Sequence, residues 1–317
     1  MPRFDITLAG EANLDLLLHG LPEDLPVERE LLADRMAMVL GGSPAITAHN
    51  LAALGSRVGF VTPLAGDLFA SMCFEDLSLA GVDLSRAVRL ENHAQTGVSI
   101  LLQHESARRT LTYPGSTARL RFEGLDLAYL TSARHFHLSS YFLQTALRPD
   151  VPRLLAACKR AGLTTSLDPN DDPSGEWDES FLEVLPHVDI LMTNQHEACR
   201  LMREQDPEAA SRRLAELVPL LVVKRGGSGA VARRGSERWE SPTVDVVSLD
   251  AVGAGDSFNA GFLHSYLQGR SIDRCLHFGN LTGGFSTTAL GGTGAFRDRA
   301  ALRSFLAAHL DQPVSAQ

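Results

Sequence analysis

Lysine is almost absent from this sequence: Lys159 and Lys224 are the only two in 317 residues. Arginine carries the rest of the basic charge, a coding preference that singles out Lys224. Aromatic residues are scarce at 6%, and basic residues are outnumbered, leaving a formal net charge of −9. That balance excludes the broad basic field that nucleic acid or an anionic membrane requires, so any phosphate has to be held by local devices. Cysteine is sparse and scattered, at Cys73, Cys158, Cys199 and Cys275. With no C-x-x-C pair there is no zinc framework or disulfide scaffold to read, and reduced, buried thiols are expected. Apolar runs never approach the roughly 20 residues that span a bilayer, and the opening MPRFDITLAGEANLD carries no signal-peptide core, so a cytosolic protein is expected. Linkers rich in Pro, Gly or Ser are missing, as are internal repeats, which favours one domain over residues 1–317.

What is present is ample apolar material, 44% of the chain, arranged in alternation. Strand-like runs are expected at Ile6 to Ala9, Val58 to Thr62, His135 to Leu138, Thr164 to Leu167, Asp189 to Met192 and Leu220 to Val223. Helical periodicity marks Val151 to Ala161, a segment from Glu197, Asp256 to Gln268, Ile272 to Leu290 and Arg299 to His309. Strands alternating with helices predict an α/β fold, a mostly parallel sheet covered on both faces. Two stretches break the pattern, about 12–40 and 96–117. In the second, GVSILL and RTLTY flank the polar turn HESAR. They predict a small β-structure, a lid set apart from the main sheet.

The run Asp250-Ala251-Val252-Gly253-Ala254-Gly255-Asp256 follows the strand-like VDVVSL and precedes a helix. Glycines let backbone approach an anion closely, and the free N–H groups of a helix start point at it. Asp256 at that start is placed to take a proton from a hydroxyl held beside a phosphate. A plain tight turn with Asp256 as helix cap is the competing explanation. Further on, Gly41-Gly42-Ser43-Pro44 leads into a helix, and paired glycines permit a backbone swing where a lid meets the sheet. Asn194-Gln195-His196-Glu197 has capping-box spacing after a strand, and Lys224 to Ala230 makes a glycine-rich link between two strands. His135 and His137 alternate on one strand without a Cys or carboxylate to complete a metal set.

With both Asp residues and the Ser-Phe-Asn that follows, the Asp250 run closely resembles the D-T-x-G-A-G-D-x-F signature of the ribokinase-like (PfkB) family of sugar and nucleoside kinases. Ala251 stands where that family usually has Thr, and Ile46 where it often has Asn. The resemblance, from about Asp5 to His309, implies a ribokinase-like three-layer α/β/α fold. It implies Asp256 as general base, with an anion hole in the N–H groups of Val252, Gly253, Ala254 and Gly255. For the acceptor sugar it implies Asn13, Asp15, Gly41, Gly42 and Ser43. For ATP it implies Asn194, Lys224, Gly226, Gly227, Gly229 and Asn280, and for Mg2+, through water, Glu197. Asp250 and the carbonyl of Val252 are the implied ligands of a monovalent cation such as K+.

The expected activity is therefore transfer of the γ-phosphoryl group of ATP to a hydroxyl of a small neutral sugar or polyol. A neutral acceptor is expected because Asp15 and Asp256 already place negative charge there. Asp171 and Asp172 follow Asp168-Pro169-Asn170, where sugar-acid kinases of the family tend to place an Arg. A nucleoside kinase and a silent sugar or nucleotide sensor of the same fold are the alternatives. A nicotinamide dehydrogenase fails on position, since its glycine motif belongs after the first strand. The expected partners are the small acceptor and ATP, with a second copy of the chain against the lid.

Overall fold

A computed structural model describes residues 2–91, 93–104 and 108–310. The chain opens with β1 (Ile6–Ala9), crosses into β2 (Asn13–His19) and β3 (Arg35–Gly41), and returns through α1 (Ser43–Ala53) to β4 (Val58–Val61). The short β5 (Pro63–Leu64), α2 (Leu68–Ala80) and β6 (Val88–Arg89) lead to β7 (Val98–Gln103) and β8 (Arg108–Tyr113). Then come α3 (Leu127–Leu130), β9 (His135–Ser139), α4 (Val151–Arg160), β10 (Thr164–Asp168), β11 (Ile190–Asn194), α5 (Gln195–Met202), α6 (Pro207–Ala215) and β12 (Leu220–Lys224). The chain ends with β13 (Ala230–Arg234), β14 (Glu237–Ser241), α7 (Ala254–Leu267), α8 (Ile272–Ser286) and α9 (Arg299–His309).

The main sheet has the order β14-β13-β12-β11-β10-β9-β1-β4, parallel from β12 to β4 and antiparallel at the β13 and β14 edge. Its parallel strands are buried almost throughout because both faces are covered, and β1, β4, β11 and β12 are the most apolar of them. Leu191 belongs to the core shared with α4, α5 and α6, whereas its neighbours Ile190 and Met192 belong to the one shared with α1, α2, α7 and α8. The expected strands agree with this sheet to within two residues at each end. Helix α8 stops at Ser286 rather than Leu290, and α7 begins at Ala254, two residues before the expected start.

The stretch VDVVSL, Val244 to Leu249, is not a strand. Pro242 brings no N–H to a ladder, and Asn280 on α8 captures the preceding carbonyls, donating to Ser241 O at 3.0 Å and Pro242 O at 2.9 Å. The segment after Pro242 forms the wall of a cleft instead.

The two aberrant stretches form a separate four-stranded sheet, β3-β2-β7-β8, and the turn residues Glu105, Ser106 and Ala107 lie outside the described residues. Its register puts Leu16, Met38, Ile100, Leu111 and Tyr113 on one face and Asp15, Leu17, Leu101 and Gln103 on the other. The second face turns inward: Leu17, Val39 and Leu101 pack on Val252 of the glycine-rich turn. No helix of the described residues is long and apolar enough to cross a membrane. Of the four thiols, Cys73, Cys158 and Cys275 are buried and Cys199 half-buried, all free.

Candidate active site

Parallel strands end at one edge of the sheet, and charged and polar residues gather there, Asn194 and Lys224 among those singled out by sequence. Glu11 follows β1, Asp168 ends β10, Asn194 ends β11 and Lys224 ends β12, with Asn194 and Lys224 in direct register. This is the edge at which open α/β sheets hold ligands, since loops rather than helices cover it. Helices α1 and α7 point their N-termini at the same place.

Asp256 is in the first turn of α7, whose N-cap is Gly253 at φ 70° and makes no side-chain cap bond. The carboxylate therefore does not cap its helix; Oδ1 accepts a hydrogen bond from Ser43 Oγ, the first residue of α1. Burial pushes the Asp256 carboxyl up to about 7, the Ser43 bond opposes this, and Asp168 and Asp15 add to it by repulsion. Asp15 and Glu11 are likewise driven to about 7, mainly by burial. Glu11, which the sequence reading passed over inside GEANLD, accepts from Gln144 Nε2 at 3.2 Å and repels both Asp256 and Asp15. Arg108 on β8 is the cation that acts on Asp15, against the trend of its surroundings.

The paired glycines have separate reasons. A Cβ at Gly41 would stand 2.0 Å from Asp15 Oδ1, so this glycine makes room for the acid. Gly42 adopts φ 88° as the N-cap of α1. Asn13 is partly committed: its Oδ1 accepts from Thr117 Oγ1 at 2.7 Å. Ile46 packs against Gly253 and Gly292, and so supports the turn.

Within the turn, the N–H of Val252 donates to Asp250 Oδ1 at 3.0 Å, so it is not the free anion donor expected of it. Helix α7 has no earlier turn to take the N–H groups of Gly255 and Asp256. Asp250 is an organiser: it also accepts from Gln103 Nε2 at 3.0 Å and from Gly291 N–H at 2.8 Å. One carboxylate thereby ties the small sheet, the glycine turn and the segment after α8.

A cavity of about 530 Å³ adjoins Gly255 and is lined by Lys224, Gly226, Gly227, Gly229, Asn280 and the segment from Thr243 to Ser248. Gly229 has φ 80° and lies so close to Ser241 that a Cβ would stand 2.1 Å from its carbonyl oxygen. Asn194 and Glu197 form a full capping box on α5, and Glu197 also accepts from Thr193 Oγ1 at 3.0 Å. Burial, followed by repulsion from Asp168, lifts the Glu197 carboxyl to about 7. Asp168 itself is buried between Lys224 Nζ and Asn259 Nδ2, the latter 2.6 Å away. Neither Asp168 nor Asn259 stood out as a site residue; Asn259 is signalled only by lying one turn after Asp256 on α7.

His135 and His137 are core residues, bonded to Thr164 and Ser166 and held neutral by burial at about 3 and 4. Asp172 is folded into its own loop, accepting from Ser174 and Trp177.

Acids at the strand ends, the open start of α7 facing the N-terminus of α1 and an adjoining cleft define an α/β phosphotransferase of the three-layer type. Residues 5–298 match the family described as pfkB family carbohydrate kinase, and the chain belongs to that family. It is 30% identical over 279 residues to an ATP-dependent ribose-1-phosphate kinase of Halopiger xanaduensis, covering 87% of this chain and 89% of that one. With 2-dehydro-3-deoxygluconokinase of Bacillus subtilis it shares 27% identity over 282 residues, 85% and 87% of the two chains. In fold it is similar to the crystal structure of adenosine kinase from Sinorhizobium meliloti, with a TM-score of 0.85 at 24% identity over 95% of this chain and 99% of that one.

The two glycines of the turn are separable by mutation. Gly253 is left-handed, and a Cβ there would stand 2.5 Å from Gly292 Cα, so Gly253→Ala is expected to lower Tm by about 3 °C or more. Gly255 is helical and its Cβ would meet Lys224 Nζ at 3.5 Å, so Gly255→Val loads the cleft instead. It is expected to lower kcat/KM about 100-fold with a smaller fall in Tm than Gly253→Ala. Paired melting curves and kinetics check this; equal falls in Tm would place both glycines in turn geometry.

Proposed function

We propose that this kinase transfers the γ-phosphoryl group of ATP to a hydroxyl of a small neutral sugar or polyol bound between Asp15 and Asp256. The observation that carries it is the half-buried Ser43–Asp256 pair at the mouth of the α7 N-terminus. Asp256 is a base whose pKa lies close to neutral pH, within reach of the free N–H groups of Gly255 and its own residue. An acceptor hydroxyl replaces the Ser43 bond, gives its proton to Asp256 and attacks the γ-phosphorus, while the helix start takes the developing charge. Asp15, with Asn13 beside it, holds further hydroxyls, and Gly41 and Gly42 let the sugar lie against backbone.

ATP occupies the cleft beside Gly226, Gly227 and Gly229, with its base near Asn280 and its phosphates directed past Lys224 to Gly255. Magnesium, when bound, neutralises charge on the phosphates. Glu197, raised by burial and by Asp168, is a carboxylate that a nearby divalent cation would favour, and with Asn194 it would orient the metal's water. The chain works as one domain with the small sheet as its lid.

Asp256→Asn is expected to lower kcat by about 10²-fold to 10⁴-fold while ATP still binds. In the wild type, kcat/KM for the acceptor, which reports the free enzyme, should rise with pH as the carboxyl loses its proton through about 7. Ser43→Ala should carry that rise to higher pH, because the Ser43 bond lowers this pKa. An Asp256→Asn enzyme with wild-type kcat would remove the base assignment.

The acceptor is decided by a panel of pentoses, hexoses, ketohexoses, sugar acids, phosphosugars and nucleosides. A neutral acceptor is favoured because Glu11, Asp15 and Asp256 already repel one another, and a further anion would add to that. A second reading, an anionic or phosphorylated sugar, is favoured by Arg108 facing Asp15 and by the ribose-1-phosphate and sugar-acid kinases among the relatives. Neutral sugars or nucleosides should give the highest kcat/KM; a phosphosugar or sugar acid preferred by about tenfold selects the second reading.

A monovalent cation beside Asp250 and the Val252 carbonyl would stiffen the same turn that Asp250 already organises. Potassium should then raise the rate over sodium at equal ionic strength, and Asp250→Ala should abolish the difference; equal rates in both salts leave Asp250 as an organiser alone.

The outer face of the lid is apolar and open, with Met36 62%, Leu111 57% and Tyr113 53% exposed, and a second copy of the chain is the partner proposed for it. Leu111→Glu should convert a dimer to monomer in sedimentation; a wild-type monomer at micromolar concentration would dismiss the interface.

A further inference from the structure

We propose that Lys224 is a catalytic residue of the transfer, placing its ammonium on the migrating phosphoryl group, and that Asp168 and Asn259 are the residues that position it. This rests on the kinase reading above and adds to it a cation inside the reaction centre, beyond a place along ATP.

An ammonium carries three N–H bonds. Lys224 Nζ gives one to Asp168 and lies 3.4 Å from Asn259 Oδ1, while Asn259 Nδ2 donates to the same Asp168 oxygen at 2.6 Å. That closed triangle, fastened to β10, β12 and α7, fixes where the ammonium sits. Its third N–H is left over. The side chain also lines the cleft, and the first turn of α7 passes so close that a Cβ on Gly255 would stand 3.5 Å from Nζ. The remaining donor therefore belongs to the space in front of the free N–H groups of Gly255 and Asp256.

Charge supports the same assignment. Asp168 is fully buried whereas the Lys224 side chain keeps 12% of its exposure, so the cation, not the anion, is the member turned to the cleft. Around them stand Asp256 and Glu197, both raised by burial, and Lys224 is held protonated against its own burial by Asp168 and Glu197. The adjacent Arg225 is turned away, donating to Ser228 O and pairing with Glu240. A transferring phosphoryl group spreads charge over three equatorial oxygens, and a fixed ammonium beside the helix start offsets it without reorganising.

The step balances without a proton from Lys224. The acceptor hydroxyl gives its proton to Asp256, its oxygen forms the bond to phosphorus, and the bond to the β-phosphate oxygen breaks with its electron pair leaving on ADP. Lys224 stays an ammonium and donates one hydrogen bond throughout.

The test separates this from a salt bridge that merely holds strand to helix. Lys224→Met should lower kcat about 100-fold while KM for ATP moves less than about threefold. Calorimetry should find ADP affinity kept, but the tighter binding of Mg·ADP with aluminium fluoride reduced at least about tenfold. Because the single change leaves Asp168 buried without its partner, Lys224→Met is also made with Asp168→Asn. The double variant should recover the wild-type Tm and remain as slow as the single one. Recovery of turnover in the double variant would show the lysine to be structural and overturn the proposal, as would unchanged kcat in a folded Lys224→Met. A wild type that binds no ATP and phosphorylates nothing in the acceptor panel would instead break the underlying kinase reading, before any variant is measured.

Discussion

Crowding of buried acids at one edge of the main sheet is the constraint around which this molecule is built. Glu11, Asp15, Asp168, Glu197 and Asp256 converge there with Lys224, and burial raises four of the five carboxyls. Carboxylates brought together away from water destabilise a folded chain unless each finds donors or a cation. The surrounding structure supplies them one at a time: Gln144 for Glu11, Ser43 for Asp256, Thr193 and Asn194 for Glu197, Lys224 and Asn259 for Asp168. Side chains do most of this work, joined by the backbone N–H of Asn194 at the start of α5.

Glycine serves the same end in different ways. Gly41 is small so that Asp15 can be buried, Gly253 is left-handed so that α7 can begin where it does, and Gly255 is small so that the cleft stays open to Lys224. A motif written as G-A-G thus contains one residue chosen for conformation and another for space.

The alternation of apolar runs made most of the main sheet legible, because strands buried on both faces need little from their neighbours to be recognised. Ile6 to Ala9 is the same in sequence and structure, as is the closing helix Arg299–His309. VDVVSL was misleading for the converse reason: its composition is that of a strand, but Pro242 just before it and the bonds from Asn280 remove it from the ladder, the second a tertiary effect with no local signature. The site was legible wherever residues lay in one run, from Asp250 to Asp256. It was not where three segments must meet. Nothing in the sequence pairs Asp168 with Asn259, 91 positions apart, or turns Asp172 into its own loop. Glu11 went unremarked because burial, which alone makes it unusual, is invisible in a run of six residues.

The bond from Gln103 to Asp250 has a mechanical meaning. Asp250 receives the Val252 and Gly291 N–H groups from its own side of the cleft, so those two bonds travel with it, whereas Gln103 arrives from the small sheet. At 3.0 Å, a displacement of β7 by about 1 Å carries this third bond beyond hydrogen-bonding range. The two sheets are thus levers on one pin, and the glycine turn feels the position of a strand that belongs to the other sheet.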